Sequence, residues 1–101
     1  MSFPKAVRIK DEAVLVLVRR QRCLACPTGG QHLQTEPDHI TTRGAGGGDT
    51  LDNLWPLCVL HHRTRHMKGL RFMVENFPAC AKWLVDHDRM DILDACDALE
   101  V

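Results

Sequence analysis

No apolar run in this 101-residue chain approaches the roughly 18 residues that a membrane span requires. The longest candidate, Ala13 to Val18, meets Arg19-Arg20 at once and lacks the small-residue cleavage site of a secretory signal. Neither a membrane partner nor export is therefore expected, and the chain is assigned to the cytoplasm. Internal repeats and low-complexity linkers are also missing, which points to one domain over residues 1–101. Net charge is zero, with 13 Lys/Arg against 13 Asp/Glu, so the total gives no argument for a polyanionic partner. The distribution does. Residues 1–71 hold 11 basic and 6 acidic side chains, and residues 72–101 hold 2 and 7. The cysteine count is five, an odd number that suits a disulfide framework poorly.

What is present is a concentration of metal-capable side chains. Cys23 and Cys26 form one pair with two residues between its members, and Cys58 and His61 form another. Each such knuckle lets both side chains reach a single ion in tetrahedral geometry. Three thiolates and one imidazole make a closed, soft set, the donor chemistry of a structural zinc with no open position. The 31 residues between the pairs become a loop pinned at its base. Cys80 and Cys96, at apolar helical positions, read as small buried hydrophobes.

The coarse pattern is α+β. Asp11 to Arg22 suggests a helix, with acids in its first turn and arginines near its end, although Val14, Val16 and Val18 alternate as a strand would. A tight knuckle over Cys23 to Gly30 is closed by Pro27 and Gly29-Gly30. Thr35 to Thr42, with Pro37 inside it, reads as an extended edge strand. Gly44 to Gly48 holds four glycines in five residues and reads as a loop. Asn53 to Leu57 returns as a second strand, Cys58 turns it, and His61 to Lys68 is helical with Gly69 as its cap. Beyond the motif core of residues 23–69, a C-terminal part over 70–101 reads as short helices at Leu70 to Phe77, Ala79 to Asp86 and Arg89 to Leu99. Their shared core is expected to be Phe72, Phe77, Trp83, Leu84, Ile92, Leu93 and Leu99. His32 and His87 read as solvated surface residues.

Within the pinned loop and the helix after it, the run is Asp38-His39, a Gly-rich loop, Asn53-Leu54-Trp55-Pro56-Leu57-Cys58 and His61-His62-x-x-x-His66. Taken singly, each of these residues is ordinary. Together they resemble the HNH (His-Asn-His, or ββα-metal) endonucleases, in the compact zinc-containing form encoded by phages and prophages. The resemblance covers residues 23 to about 69. It departs from the common pattern where His61 stands in place of a second cysteine, which leaves the ligand count intact.

The resemblance implies a small ββα-metal core with a zinc knuckle and flanking helices, acting in divalent-metal-dependent hydrolysis of DNA phosphodiester bonds. Asp38 would bind the catalytic ion, Mg²⁺ or Mn²⁺ by its mixed carboxylate and imidazole set. His62 and His66, four apart on one helix face, would complete that site, with His66 either a ligand or a phosphate contact. His39 would be the general base on a water; histidine ordinarily titrates near about 6.5, so neutral pH leaves it able to accept a proton. Asn53 would hold the loop and orient His39, or coordinate the metal as in some branches of the family. Neighbours on a strand point to opposite faces, so the use of both Asp38 and His39 requires a backbone distortion there. Arg43, Arg63, Arg65 and Lys68 surround the motif and would grip phosphates, giving salt-sensitive binding nearly blind to sequence. A monomer or weak dimer would nick one strand per event, with a protein partner able to supply specificity. The alternative is a non-catalytic module in which zinc shapes a DNA-binding helix.

Overall fold

A computed structural model describes residues 8–27 and 34–98; the readings for Gly29-Gly30, His32 and Leu99 lie outside the described residues. Among those described, the chain is an α+β domain of five α-helices and a two-stranded antiparallel sheet. The order is α1 (Glu12–Arg19), β1 (Thr35–His39), β2 (Leu54–Cys58), α2 (Val59–Lys68), α3 (Leu70–Asn76), α4 (Pro78–Asp86) and α5 (Met90–Ala98). Among the described residues, no helix is long and apolar enough to cross a membrane.

The valine-rich segment is helical. Asp11 caps it, its carboxylate accepting from the backbone N–H groups of Ala13 and Val14, and Leu15 and Val18, three apart, are buried on one face. The helix ends at Arg19, short of the expected Arg22. The chain must turn there to bury Cys23, and the Leu24 N–H is taken by the carbonyl of Pro56 on β2.

β1 and β2 pair with Glu36 opposite Leu57, Pro37 opposite Pro56 and Asp38 opposite Trp55. The Ile40 N–H donates to the Asn53 carbonyl, so by alternation the two prolines meet at a non-hydrogen-bonded pair, where a missing N–H costs nothing. All five β2 residues are buried. Leu54 packs against Leu15 and Val18 of α1. Trp55 and Leu57 enter the larger core with Ile40, Met73, Cys80 and Leu84. Helices cover both faces of this short strand, which is why it reads as a continuous apolar run.

α2 begins at Val59, two residues earlier than expected, and Gly69 joins it to α3 at φ 91°, a backbone conformation suited to glycine. Gly44 and Ala45, expected as loop, join Arg43 in one turn of 3₁₀ helix capped by the Thr42 hydroxyl. Cys80 and Cys96 are buried, as expected. Phe72, Phe77, Trp83, Ile92 and Leu93 pack against the core but stay partly exposed. His87 corrects its sequence reading: its ring stacks on Trp83 at 4.0 Å and its Nδ1 lies 2.8 Å from the Trp83 carbonyl.

Candidate functional site

The start of α2 brings Cys58 and His61 onto the Cys23–Cys26 knuckle. One donor atom from each of the four lies within 4.8 Å of the others. His61 Nδ1 is 3.2 Å from Cys58 Sγ, 3.5 Å from Cys26 Sγ and 3.6 Å from Cys23 Sγ, and Cys26 and Cys58 sulfurs are 3.7 Å apart. Tetrahedral zinc with bonds of about 2.3 Å to sulfur and 2.0 Å to nitrogen has ligand–ligand edges of roughly 3.5 to 3.8 Å. Three of these four separations fall in that range and the Cys58–His61 one is shorter, and the cluster could hold a metal ion such as zinc. Burial, followed by the neighbouring Cys23 and Cys58 sulfurs, pushes the Cys26 thiol up to about 12. Burial opposes ionisation of Cys58 too, but the His61 N–H, the other two thiols and the Leu60 N–H outweigh it and bring its pKa down. Sulfurs crowded in this way ask for a cation between them. The His61 ring is held from outside by Phe77, edge to face at 5.3 Å.

The second cluster lies in a cleft of about 450 Å³ lined by Pro37, Asp38, His39, Thr42, Arg43, Gly44, His62 and His66. Asp38 is buried at 1% exposure. Its Oδ2 accepts from Trp55 Nε1 at 2.6 Å, the residue directly opposite on β2. Arg65 Nε also lies 3.0 Å from Oδ2, close enough for an ion pair though not aligned as a hydrogen bond. That leaves Oδ1 turned to the helix, 3.1 Å from His62 Nε2 and 3.4 Å from His66 Nε2. The i, i+4 spacing on α2 supplies both imidazoles, His62 half-buried and His66 at the rim. Three donors converge on one point at the floor of an open cleft.

His39 ends β1, and it lines the same cleft despite its adjacency to Asp38. Its Nε2 lies 2.7 Å from Asp49 Oδ1. A carboxylate only accepts, so in the neutral ring Nε2 carries the hydrogen and Nδ1 the lone pair. Nδ1 makes no hydrogen bond among the described residues. Asp49 is itself gripped by Arg8 Nη1 at 2.9 Å and by the Asp11 N–H at 3.0 Å. Asn53 ties the loop between them: its Nδ2 donates to the carbonyls of Thr41 and Gly48, and its Oδ1 accepts from the Thr41 N–H at 2.8 Å. A Cβ at Gly47 would overlap the Thr41 carbonyl and approach Asn53 Nδ2 to 2.7 Å, so the tie requires glycine there.

The hydrogen bond with His39 holds the Asp49 carboxyl well below the usual carboxylate range; burial opposes this, and the Asp11 N–H and Arg8 reinforce it. A carboxyl depressed on folding contributes stability that is complete above its unfolded pKa, near about 4, and is lost as pH falls below that. The expected result is a steady decline in urea-unfolding free energy as the wild type is taken from pH 4 downward. Asp49→Asn should be less stable at pH 6 and decline less steeply. Equal acid slopes for the two proteins would show that this carboxylate is not linked to folding.

No family model, curated protein or solved structure matches this chain. The site therefore stands on its own geometry. Both expected ligand sets, Cys23, Cys26, Cys58 with His61 and Asp38, His62 with His66, are brought together. His39 is at the cleft, and Asn53 binds the loop rather than lining the cleft. Arg43 lines the cleft mouth, and Arg63 and Lys68 are exposed on α2.

Arg65 does not belong with them. It is 8% exposed, its Nη2 donates to the carbonyls of Ile40 at 2.8 Å and His39 at 3.3 Å, and its charge faces Asp38. It clamps the end of β1 and is not available to DNA phosphates. A pattern of polar residues on α2 could not reveal this, because the position faces the sheet. Asp49 and Arg8, which hold His39, also escaped the sequence reading. The only signal for Asp49 is a lone acid at the exit of the Gly-rich loop.

Proposed function

We propose that this chain is an HNH-type, ββα-metal endonuclease that hydrolyses DNA phosphodiester bonds. The observation that carries the reading is the meeting, in one cleft, of a three-donor carboxylate–imidazole cluster with a histidine held by a buried carboxylate. The succession β1, β2, α2 that builds this cleft supports the family resemblance. Zn²⁺ is the ion proposed for the Cys23, Cys26, Cys58 and His61 cluster, whose closed soft set has a structural role. Mg²⁺ or Mn²⁺ is proposed for Asp38, His62 and His66, where a carboxylate oxygen and open space suit a harder ion.

In this reading His39 Nδ1 takes the proton of the attacking water. Asp49 stabilises the imidazolium that results, through the hydrogen on Nε2, and keeps the ring in the required tautomer. Asn53 and the Gly47 contact keep that loop closed on the strand end. Asp38, His62 and His66 would hold the divalent ion, which would supply positive charge beside the scissile phosphate and the departing 3′-oxygen. Arg43 at the cleft mouth and Arg63 and Lys68 on α2 would grip neighbouring phosphates, so binding would be salt-sensitive and sequence-tolerant. The described residues form one such cleft, so a single chain would attack one strand per encounter.

The test is supercoiled plasmid incubated with zinc-loaded protein, with Mn²⁺ or Mg²⁺ added and with neither. Open circles are expected first and linear DNA later, both absent when the added divalent ion is withheld. Linear product at the earliest times would show two chains acting together. Binding without cleavage under every divalent ion would instead favour a zinc-shaped DNA-binding module.

A further inference from the structure

Glu36 is the side chain next to the cleft that neither the family pattern nor the proposed chemistry uses. It lies two residues before Asp38 on β1, so strand alternation sends both carboxylates toward α2. There His62 stands between them. Its Nδ1 lies 3.0 Å from Glu36 Oε1 and its Nε2 3.1 Å from Asp38 Oδ1. A neutral imidazole carries one hydrogen. Placed on Nδ1, it donates to Glu36 and leaves the Nε2 lone pair facing a carboxylate oxygen, an approach that is repulsive unless a cation sits between. Placed on Nε2, it would bond Asp38 and block the position where three donors converge.

We propose that Glu36 is a positioning residue for the divalent-ion site, fixing His62 in the Nδ1–H tautomer and so presenting Nε2 to the ion. The proposal rests on the reading of Asp38, His62 and His66 as metal ligands. Glu36 is itself 43% exposed, and among the described residues its side-chain hydrogen bond is to this ring, so its replacement leaves the core untouched. Carboxylate partners of this kind orient ligating histidines and raise their basicity. Glu36 acts through His62 and does not ligate the ion.

The experiment is Mn²⁺ binding to zinc-loaded full chain, read by the electron paramagnetic resonance of free Mn²⁺. Glu36→Ala should weaken binding by about 10- to 100-fold. Glu36→Gln, equally neutral but still able to accept the Nδ1–H through its carbonyl, should recover part of the loss. In a His62→Ala background Glu36→Ala should add nothing. Nitrogen-15 spectra of the zinc-loaded protein without Mg²⁺ or Mn²⁺ should show a smaller Nδ1–H population of His62 in Glu36→Ala than in the wild type. Equal losses for Ala and Gln would reduce Glu36 to a through-space charge and overturn the proposal. A full loss in the His62→Ala background would make it a direct ligand, with the same consequence. The metal-site reading is tested separately by Asp38→Asn: unchanged Mn²⁺ affinity there removes the site itself, whereas a loss there with none in Glu36→Ala removes only Glu36.

Discussion

His39→Ala protein is expected to keep its fold, its zinc and its hold on DNA while cutting about 100- to 10,000-fold more slowly, the usual worth of a positioned general base. The structure shapes how this is tested. His39 is 9% exposed and bonded to Asp49, so truncation removes a buried hydrogen bond and costs on the order of 1–3 kcal/mol of stability. His39→Gln, whose amide can still donate to Asp49 but is no base, is the cleaner variant and should be as inactive. Asp49 remains paired with Arg8 and the Asp11 N–H in both, which should limit the damage to the local tie. His62→Ala and Asp38→Asn should also be inactive, but through lost affinity for the divalent ion. Excess Mn²⁺ should therefore restore part of their activity and none of that of the His39 variants. A His39→Gln protein that nicks plasmid at the wild-type rate would take His39 out of the mechanism.

Removal of the zinc proposed for the Cys23, Cys26, Cys58 and His61 cluster should unfold the chain. The Cys23–Cys26 knuckle lies between α1 and β1, and Cys58 and His61 sit where β2 becomes α2, so one ion would join the elements that frame the cleft. Structural zinc supplies an apparent 10–16 kcal/mol, about as much as the whole net stability of a small domain. Cys58 and Cys23 are nearly inaccessible, and without an ion their sulfurs crowd Cys26 and His61 in the core. Cys26→Ser and Cys58→Ser are expected to give insoluble or molten protein, and elemental analysis of wild type about one tightly held zinc per chain. A strong chelator should abolish the cooperative thermal transition, and added zinc should restore it. Metal-free protein melting cooperatively at the same temperature would show that the cluster is not the staple of this fold.

Local chemistry is what the sequence expressed most clearly. Spacing of two between ligands, an i, i+4 histidine pair and prolines and glycines at turns are short-range constraints, legible without knowing what lies opposite. They placed Cys23, Cys26, Cys58 and His61 in one cluster and His62 beside His66; the family resemblance added Asp38 to that pair, and both clusters are present in the fold. Element ends were less legible. α1 stops at Arg19 because the knuckle must reach β2, a demand set by residues more than thirty positions away.

What only the tertiary structure decided is which side each charged residue faces and what holds it. Arg65 looked like Arg63, yet two positions along the helix turn it from solvent to the sheet, where it clamps Asp38 and the end of β1. Asp49 gains its meaning from Arg8 and Asp11, some forty residues earlier, and Asn53 is braced by Arg89 from the acidic C-terminal part. Segments outside the motif thus hold the loop that presents His39. A sequence lists donors and acceptors one after another. Whether a buried charge is a clamp, a ligand or a surface grip depends on the partner it meets, and that partner is supplied by packing.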